Sequence, residues 1–343
     1  MRPIAKAGSA LFALALAMTA GAAQAGSAAA GPTSGAPCGA MQPLALPNGA
    51  YSASVRGADP TGRFQVGAMM DTTFNSHLLR WVDGVPQDLS TTHVGGKAVN
   101  SLGDIAGSTF DDETSRDTPW RYHDGQFTDL PTEPPGHSAT PTGINAAGTI
   151  SGFVRDASDT VQPVIWSLDN VMRRLPLPPG DEAGLAEDID DDGTIVGKTG
   201  SQADGAFRPV RWRPDGTVER FPGIQPNPNT GFEDLAIRGG WVTGTEFHDP
   251  NSTPSQVLRW SGGTSQPETL GQGTAEAVNS HGSVVMLSLP DAKLQLVQNG
   301  VVRSLPSDDE PFPTARVTAL TDDHIAYGYW HSTPMRWDCR PAS

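Results

Sequence analysis

The sequence predicts an all-β fold: a seven-bladed β-propeller of four-stranded antiparallel blades, closed by an N-terminal strand that completes the last blade. Three observations lead there. A hairpin pattern of a small or apolar residue, Asn or Asp, two variable residues and Gly recurs along the chain. An aromatic residue, mostly Trp, ends a third strand-like run in most copies, and a Leu or Leu-Pro ending closes a fourth. The copies follow one another at roughly 41 to 46 residues, the length of one propeller blade.

Gly184 to Ile224 is the clearest copy. Four short strand-like runs are separated there by three junctions, two of them the turns Asp191-Asp192-Gly193 and Pro214-Asp215-Gly216. Such a meander cannot bury both faces alone, whereas copies stacked radially can. The hairpin pattern is equally plain at Val99-Asn100 to Gly103 and at Ile144-Asn145 to Gly148. It is weaker at Ala58-Asp59, Ala236, Val278-Asn279 and Leu320.

The chain divides into residues 1–25, 26–37 and 38–343. Arg2 and Lys6, an apolar run from Ala10 to Ala20, and Ala23-Gln24-Ala25 make residues 1–25 a secretory signal peptide. Residues 26–37, almost all Gly, Ala, Ser, Pro and Thr, read as a flexible spacer, and 38–343 as one propeller domain. No later stretch is long and apolar enough to be a transmembrane helix, so a secreted, extracellular protein without membrane insertion is expected. The formal net charge is −15, or −17 once Arg2 and Lys6 leave with the leader, which argues against nucleic acid as a partner.

Third strands end in Trp81, Tyr122, Trp166, Trp212, Trp260 and Trp337, with Val297 in the sixth copy, as packing between adjacent sheets requires. Arg80, Arg121, Arg211, Arg259 and Arg336 precede the aromatic residue, and alternation sends them to the opposite face, where carboxylates of the next blade are expected partners. The seventh copy lacks a fourth strand after Trp337, and residues 41–47 carry a Leu-Pro ending to supply it. The only cysteines, Cys38 and Cys339, stand at the two ends of the domain and are expected to form a disulfide that pins this closure.

Ile-Asn-x-x-Gly hairpins combined with an x-Ala/Pro-φ-x-Trp strand and a following x-Gly turn resemble the extracellular repeats of the HAF family. Only His77-Leu78-Leu79-Arg80-Trp81 keeps the family's histidine; Pro119, Pro163, Pro209 and Pro334 stand at the alanine position of later copies. The resemblance covers nearly the whole mature chain and implies a secreted propeller, with no catalytic residue to carry over. In architecture alone the chain is also similar to the propeller lectins that act as adaptors in bacterial umbrella toxin particles, which implies a glycan or protein partner.

In a four-stranded meander the second-to-third and blade-to-blade connections share one face. The long segments Ser108 to Pro119, Lys198 to Arg208, Gly223 to Glu233 and Thr245 to Gln256 place most of the variable loop there. Aromatic and polar residues recur in them: Phe74, Phe110 with Asp112, Phe153 with Arg155, Phe247 with His248, and Trp330 with His331. An aromatic platform beside hydrogen-bonding groups suits a sugar, and the same residues equally suit capping the ends of blade cores.

Asp188, Asp190 and Asp192 begin like a calcium loop, but Thr199 stands where a bidentate Glu is needed, so no metal or cofactor is expected. No G-x-S-x-G, H-E-x-x-H, phosphate loop or Cys/His metal spacing occurs. The expected function is a secreted, non-catalytic binding module, lectin-like or a protein-binding adaptor in a secreted complex. The alternative is an extracellular propeller hydrolase or lyase working from carboxylates or histidines in the channel.

Overall fold

A computed structural model describes residues 33–133, 135–156, 158, 160–201, 206–224, 230–248, 255–262, 266–307 and 315–341. The expected signal peptide lies outside the described residues. Every strand belongs to one compact unit, Pro32–Ser343, and no helix occurs among the described residues.

Two short strands, β1 (Thr33–Ser34) and β2 (Gln42–Pro43), precede the first sheet: β3 (Ala50–Ala58), β4 (Phe64–Asp71), β5 (Ser76–Val82) and β6 (Val85–Ser90). The second is β7 (Gly96–Val99), β8 (Ile105–Asp111), β9 (Arg116–His123) and β10 (Gln126–Asp129). The third is β11 (Ala139–Ile144), β12 (Ile150–Arg155), β13 (Val161–Trp166) and β14 (Met172–Arg174). The fourth is β15 (Ala183–Ile189), β16 (Ile195–Gly200), β17 (Phe207–Trp212) and β18 (Val218–Arg220). All four are antiparallel meanders.

An 8-stranded sheet follows, formed by β19 (Thr230–Arg238), β20 (Trp241–His248), β21 (Gln256–Trp260), β22 (Glu268–Val278), β23 (Val284–Ser288), β24 (Lys293–Gln298), β25 (Val301–Ser304) and β1. It is a double meander because β22 is shared: its first half pairs with β21 and its second with β23. The sheet is mixed because β1, inside the segment read as a spacer, pairs in parallel with β25. The last sheet holds β26 (Ala315–Leu320), β27 (Ile325–Trp330) and β28 (Thr333–Asp338), with β2 antiparallel to β28.

The core lies between neighbouring sheets. Val196 and Phe221 of one pack with Phe232, Leu235 and Trp260 of the next, and Tyr327 of the last sheet packs with Ala53, Val55 and Trp81 of the first. The repeated residues are the ones that join sheets. Asn100 accepts its own hairpin's amides from Leu102 and Asp104 on Oδ1, and its Nδ2 donates to Asn145 O of the next sheet at 3.0 Å. Asn145 and Asn279 do the same toward Asp190 O and Thr321 O. Asp190 has no such donor, and its carboxylate instead accepts the next sheet's Gly239 and Gly240 amides. Trp166, Trp212 and Trp337 donate Nε1–H to Pro131 O, Pro176 O and Pro306 O, two residues past the end of the fourth strand of the preceding set. The Leu-Pro ending is therefore an acceptor presented to a neighbour's indole.

That rule revises the N-terminal register. Trp81 Nε1 donates to Ala45 O at 2.7 Å, and Leu44 N donates to Pro334 O as Leu175 N does to Pro163 O. The segment equivalent to Leu175-Pro176 is thus Leu44-Ala45, and the Leu46-Pro47 match in sequence lies two residues too late. Cys38 and Cys339 form a disulfide.

The guanidinium groups go elsewhere than expected. Arg80, Arg121 and Arg259 donate to the turn carbonyls Gly103 O, Leu168 O and Gly282 O of the next sheet, and the carboxylates that meet Arg211 and Arg259 lie on their own sheets. The long loops also shrink. Ser108 to Pro119 is mostly strand, because Asp111 Oδ1 caps the amides of Glu113 and Thr114 and turns the chain within four residues, 112–115. Lys198, Glu233, Thr245 and Gln256 likewise lie in strands.

Candidate functional site

The first strand of each four-stranded set, β22 included, carries a one-residue β-bulge at one repeated place. The extra residues are Arg56, Lys97, Thr142, Glu187, Glu276 and Thr318, with Asp234 and Leu235 sharing the bulge of β19. A bulge turns its extra side chain out of the pleat. These turn inward: a central cavity of about 170 Å³ is lined by Arg56, Lys97, Thr142, Glu187, Leu235, Glu276 and Thr318 together.

Most ring residues also grip the next sheet. Thr142 Oγ1 donates to Ala186 O at 2.9 Å and Thr318 Oγ1 to Val55 O at 3.2 Å. Glu187 Oε2 accepts Leu235 N at 3.0 Å while Lys198 Nζ stands 3.0 Å from Oε1. Glu276 repeats the arrangement with Val317 N and Arg316. Burial pushes the Glu187, Asp188 and Glu276 carboxyls above the ordinary range, and it outweighs the neighbouring cations Lys198, Arg238 and Arg316. Leu235 cannot make such a bond; Thr245 Oγ1 accepts Ala275 N in its place.

Beside the channel, toward the turns between second and third strands, a cavity of about 590 Å³ opens between the first and last sheets. Arg56 and Lys97 reach it from the ring, with Ser52, Ser54 and Ser76 from the first sheet and Tyr329 and His331 from the last. Met69 and Ala53, both buried, supply apolar wall. A second cavity of about 570 Å³ lies further round, shares Arg56, Thr318 and Tyr329, and is lined by Asp234, Glu276 and Arg316.

Of the residues singled out from sequence, only His331 lines the first cavity. Its ring lies 4.7 Å from that of Trp330, which packs against the core cluster around Trp337 and whose Nε1 has no hydrogen-bond partner among the described residues. Phe74 is 71 % exposed and meets Tyr51 edge to face at 5.8 Å. Phe110 projects from β8 with Asp112 exposed in the next turn, and Phe153 is half-buried in β12, which ends at the exposed Arg155. The Phe247 ring covers Gly231, where a Cβ would come within 2.1 Å of it. His248 ends β20, its backbone opposite Thr230. Phe110, Phe153, Phe247 and Trp330 thus lie within second strands, not in loops after them, and the structure gathers no shared site from them.

Asp188, Asp190 and Asp192 accept backbone amides from Ile237, Gly239, Gly240 and Thr194, so they serve as turn and inter-sheet caps. No cluster of three or more potential metal ligands occurs among the described residues. Ser283 Oγ lies 3.0 Å from His324 Nε2, but Ser283 is fully buried and Gln298 Nε2 meets the same ring nitrogen at 2.9 Å. Burial and His281 hold His324 below its ordinary pKa. This pair is packed in the hairpin turns away from both cavities.

Comparison with solved structures agrees with this geometry. A streptogramin B lyase superposes with a TM-score of 0.52 at 11 % identity, covering 87 % of this chain and 97 % of that one. The fold is a β-propeller. Virginiamycin B lyase from Staphylococcus aureus gives 0.52 at 8 % identity, with the same two coverages of 87 % and 97 %. A puromycin-hydrolyzing peptidase from Mycobacterium tuberculosis gives 0.55 at 11 % identity, over 89 % of this chain and 55 % of that one. No protein-family model matches the sequence, and no curated protein does. At these identities the likeness concerns the propeller and leaves its ligand open.

Proposed function

We propose that the chain is an exported seven-bladed propeller that binds a small ligand at the channel mouth, without chemistry. Two four-stranded sets sharing β22, together with the five separate sheets, support the blade count, and the pairing of β2 with β28 beside the Cys38–Cys339 bridge supports closure. The terminal disulfide is consistent with an extracellular location. The likeness to HAF repeats belongs to the same proposal, as a statement about how the blades pack.

One observation carries the binding reading: the cavity of about 590 Å³ between the first and last sheets, in the size range of small-molecule sites and walled by hydroxyls, two cations and buried apolar groups. It replaces the dispersed aromatic residues as the expected centre of a lectin-like site. A cavity-filling Ser54→Trp variant tests it against a glycan array. Loss of the wild-type signal with an unchanged melting temperature is expected; an unchanged array profile would sink the assignment.

A second reading, an extracellular hydrolase or lyase, is favoured by the raised Glu187 and Glu276 carboxyls facing the channel, which is the state a general acid needs. Turnover of any screened substrate that Glu187→Gln and Glu276→Gln both leave intact would remove it.

A further inference from the structure

Arg56 and Lys97 break the rule of the bulge ring. Thr142, Glu187, Glu276 and Thr318 each spend their polar atoms on the next sheet, whereas neither Arg56 nor Lys97 has a hydrogen bond or ion pair among the described residues. They come from adjacent sheets and line both cavities described first, the central one and the larger one at its mouth. Holding Lys97 there is costly. Burial and the charge of Arg56, which itself stays exposed, both push the Lys97 ammonium below its ordinary pKa.

Three nearby carboxylates are engaged by other groups. Asp117, the acidic group that acts most on Lys97, is held by the hydroxyls of Ser108 and Thr140. Glu187 and Glu276, on the same ring, are engaged by Lys198 and Arg316. Two adjacent unpaired cations in a chain of formal net charge −15 with 38 acidic residues are therefore available to a ligand's charge.

We propose that Arg56 and Lys97 bind the carboxylate of a small hydroxylated acid, an acidic sugar by chemical class, seated in the channel-mouth cavity; this deepens the binding reading above and rests on it. A guanidinium can hold a carboxylate with two parallel hydrogen bonds, and the ammonium adds a compact charge. Ser52, Ser54, Ser76 and Tyr329 offer hydroxyls to those of a sugar, and Met69 and Ala53 offer an apolar wall to its C–H face. The volume of about 590 Å³ suits one or two sugar rings and excludes a polymer lying fully inside.

Isothermal titration of the mature, disulfide-bonded protein with glucuronate and with glucose tests this. Glucuronate is expected to bind saturably, glucose at least tenfold more weakly, and glucuronate affinity is expected to fall with added salt. Lys97→Met and Arg56→Gln are each expected to weaken glucuronate tenfold or more. Lys97→Met should leave the melting temperature equal or raised, since it relieves a like-charge contact. Absence of saturable glucuronate binding at millimolar concentration, or equal binding by wild type and both variants, would overturn the proposal. If Ser54→Trp abolishes a glucose or glucuronate signal that Lys97→Met leaves unchanged, the cation pair fails and the cavity stands. A signal that Ser54→Trp leaves intact would overturn the cavity itself.

Discussion

Two tryptophans at the same repeat position differ in a single atom's environment. Trp166 and Trp260 are both buried third-strand residues, but Trp166 Nε1 donates to Pro131 O at 2.8 Å whereas Trp260 Nε1 has no partner among the described residues. Replacing either by Phe keeps most of the apolar packing. Trp166→Phe also strands a carbonyl and should cost about 1 kcal/mol more than Trp260→Phe in urea unfolding, since a lost buried hydrogen bond is worth that order. Equal costs would mean that the indole bonds add nothing to sheet-to-sheet cohesion. Titration offers a second check on single residues. Burial raises the folded-state pKa of Glu276, so its protonation stabilises the fold. That contribution is fully present below the ordinary value of 4.5 and is lost as pH rises through the higher folded value. Glu276→Gln does not titrate, so its melting temperature relative to wild type should climb as pH is raised from about 4.5 through the neutral range. A difference that stays flat, or falls, would contradict the desolvation argument.

Strands and turns show which parts of the fold the sequence made legible. Asn100, Asn145 and Asn279, the third-strand tryptophans and the Leu-Pro endings stood out because each repeats one packing or hydrogen-bonding job across several copies. The bulge ring did not stand out, because Arg56, Lys97, Thr142, Glu187 and Thr318 share a place and a direction but no side-chain chemistry. Its signal was positional: each lies three residues before the Asn, Asp or Thr of its hairpin. In the fifth copy the count holds, Leu235 lying three residues before Arg238, but Arg stands where other copies have Asn, Asp or Thr, since Ile237 pairs with Val242 across a tight Gly239-Gly240 turn. The long loops were overestimated for a different reason: Asp111 and similar residues close tight turns, so polar sequence there belongs to strand ends. The shared strand β22 makes its own prediction. It crosses between two four-stranded sets at Gly273, where φ is 148° and an added Cβ would lie 2.0 Å from Leu287 O. Gly273→Ala should force the backbone apart there and cost several times the roughly 1 kcal/mol of a strand glycine's propensity, lowering the melting temperature by many degrees. A near-neutral result would mean that β22 bends elsewhere.

Across the whole domain, two sheets take their outermost strand from the N-terminal segment: β1 lies in parallel beside β25, and β2 lies antiparallel beside β28. In the last sheet Cys339 is also bonded to Cys38, a separation of 301 residues. Without that cover β28 would present unpaired amides and carbonyls, and the Trp81 indole would lose its acceptor Ala45 O. Two contributions can be separated by experiment. Cys38→Ser with Cys339→Ser removes the covalent link alone, and the chain-entropy model gives an upper figure of about 5 to 6 kcal/mol for so long a loop. Deleting the chain up to Leu46 removes the link, the β1 and β2 pairings and the Trp81 acceptor together. If the N-terminal segment closes the propeller, the deletion should destabilise well beyond the double serine variant and should make the newly open edges at β25 and β28 the first sites of proteolysis. It should also weaken the ligand binding proposed for the channel mouth more than the serine variant does, since that cavity lies between the first and last sheets. Equal stabilities for the two proteins would mean that the disulfide alone accounts for the junction and that β2 is a bystander.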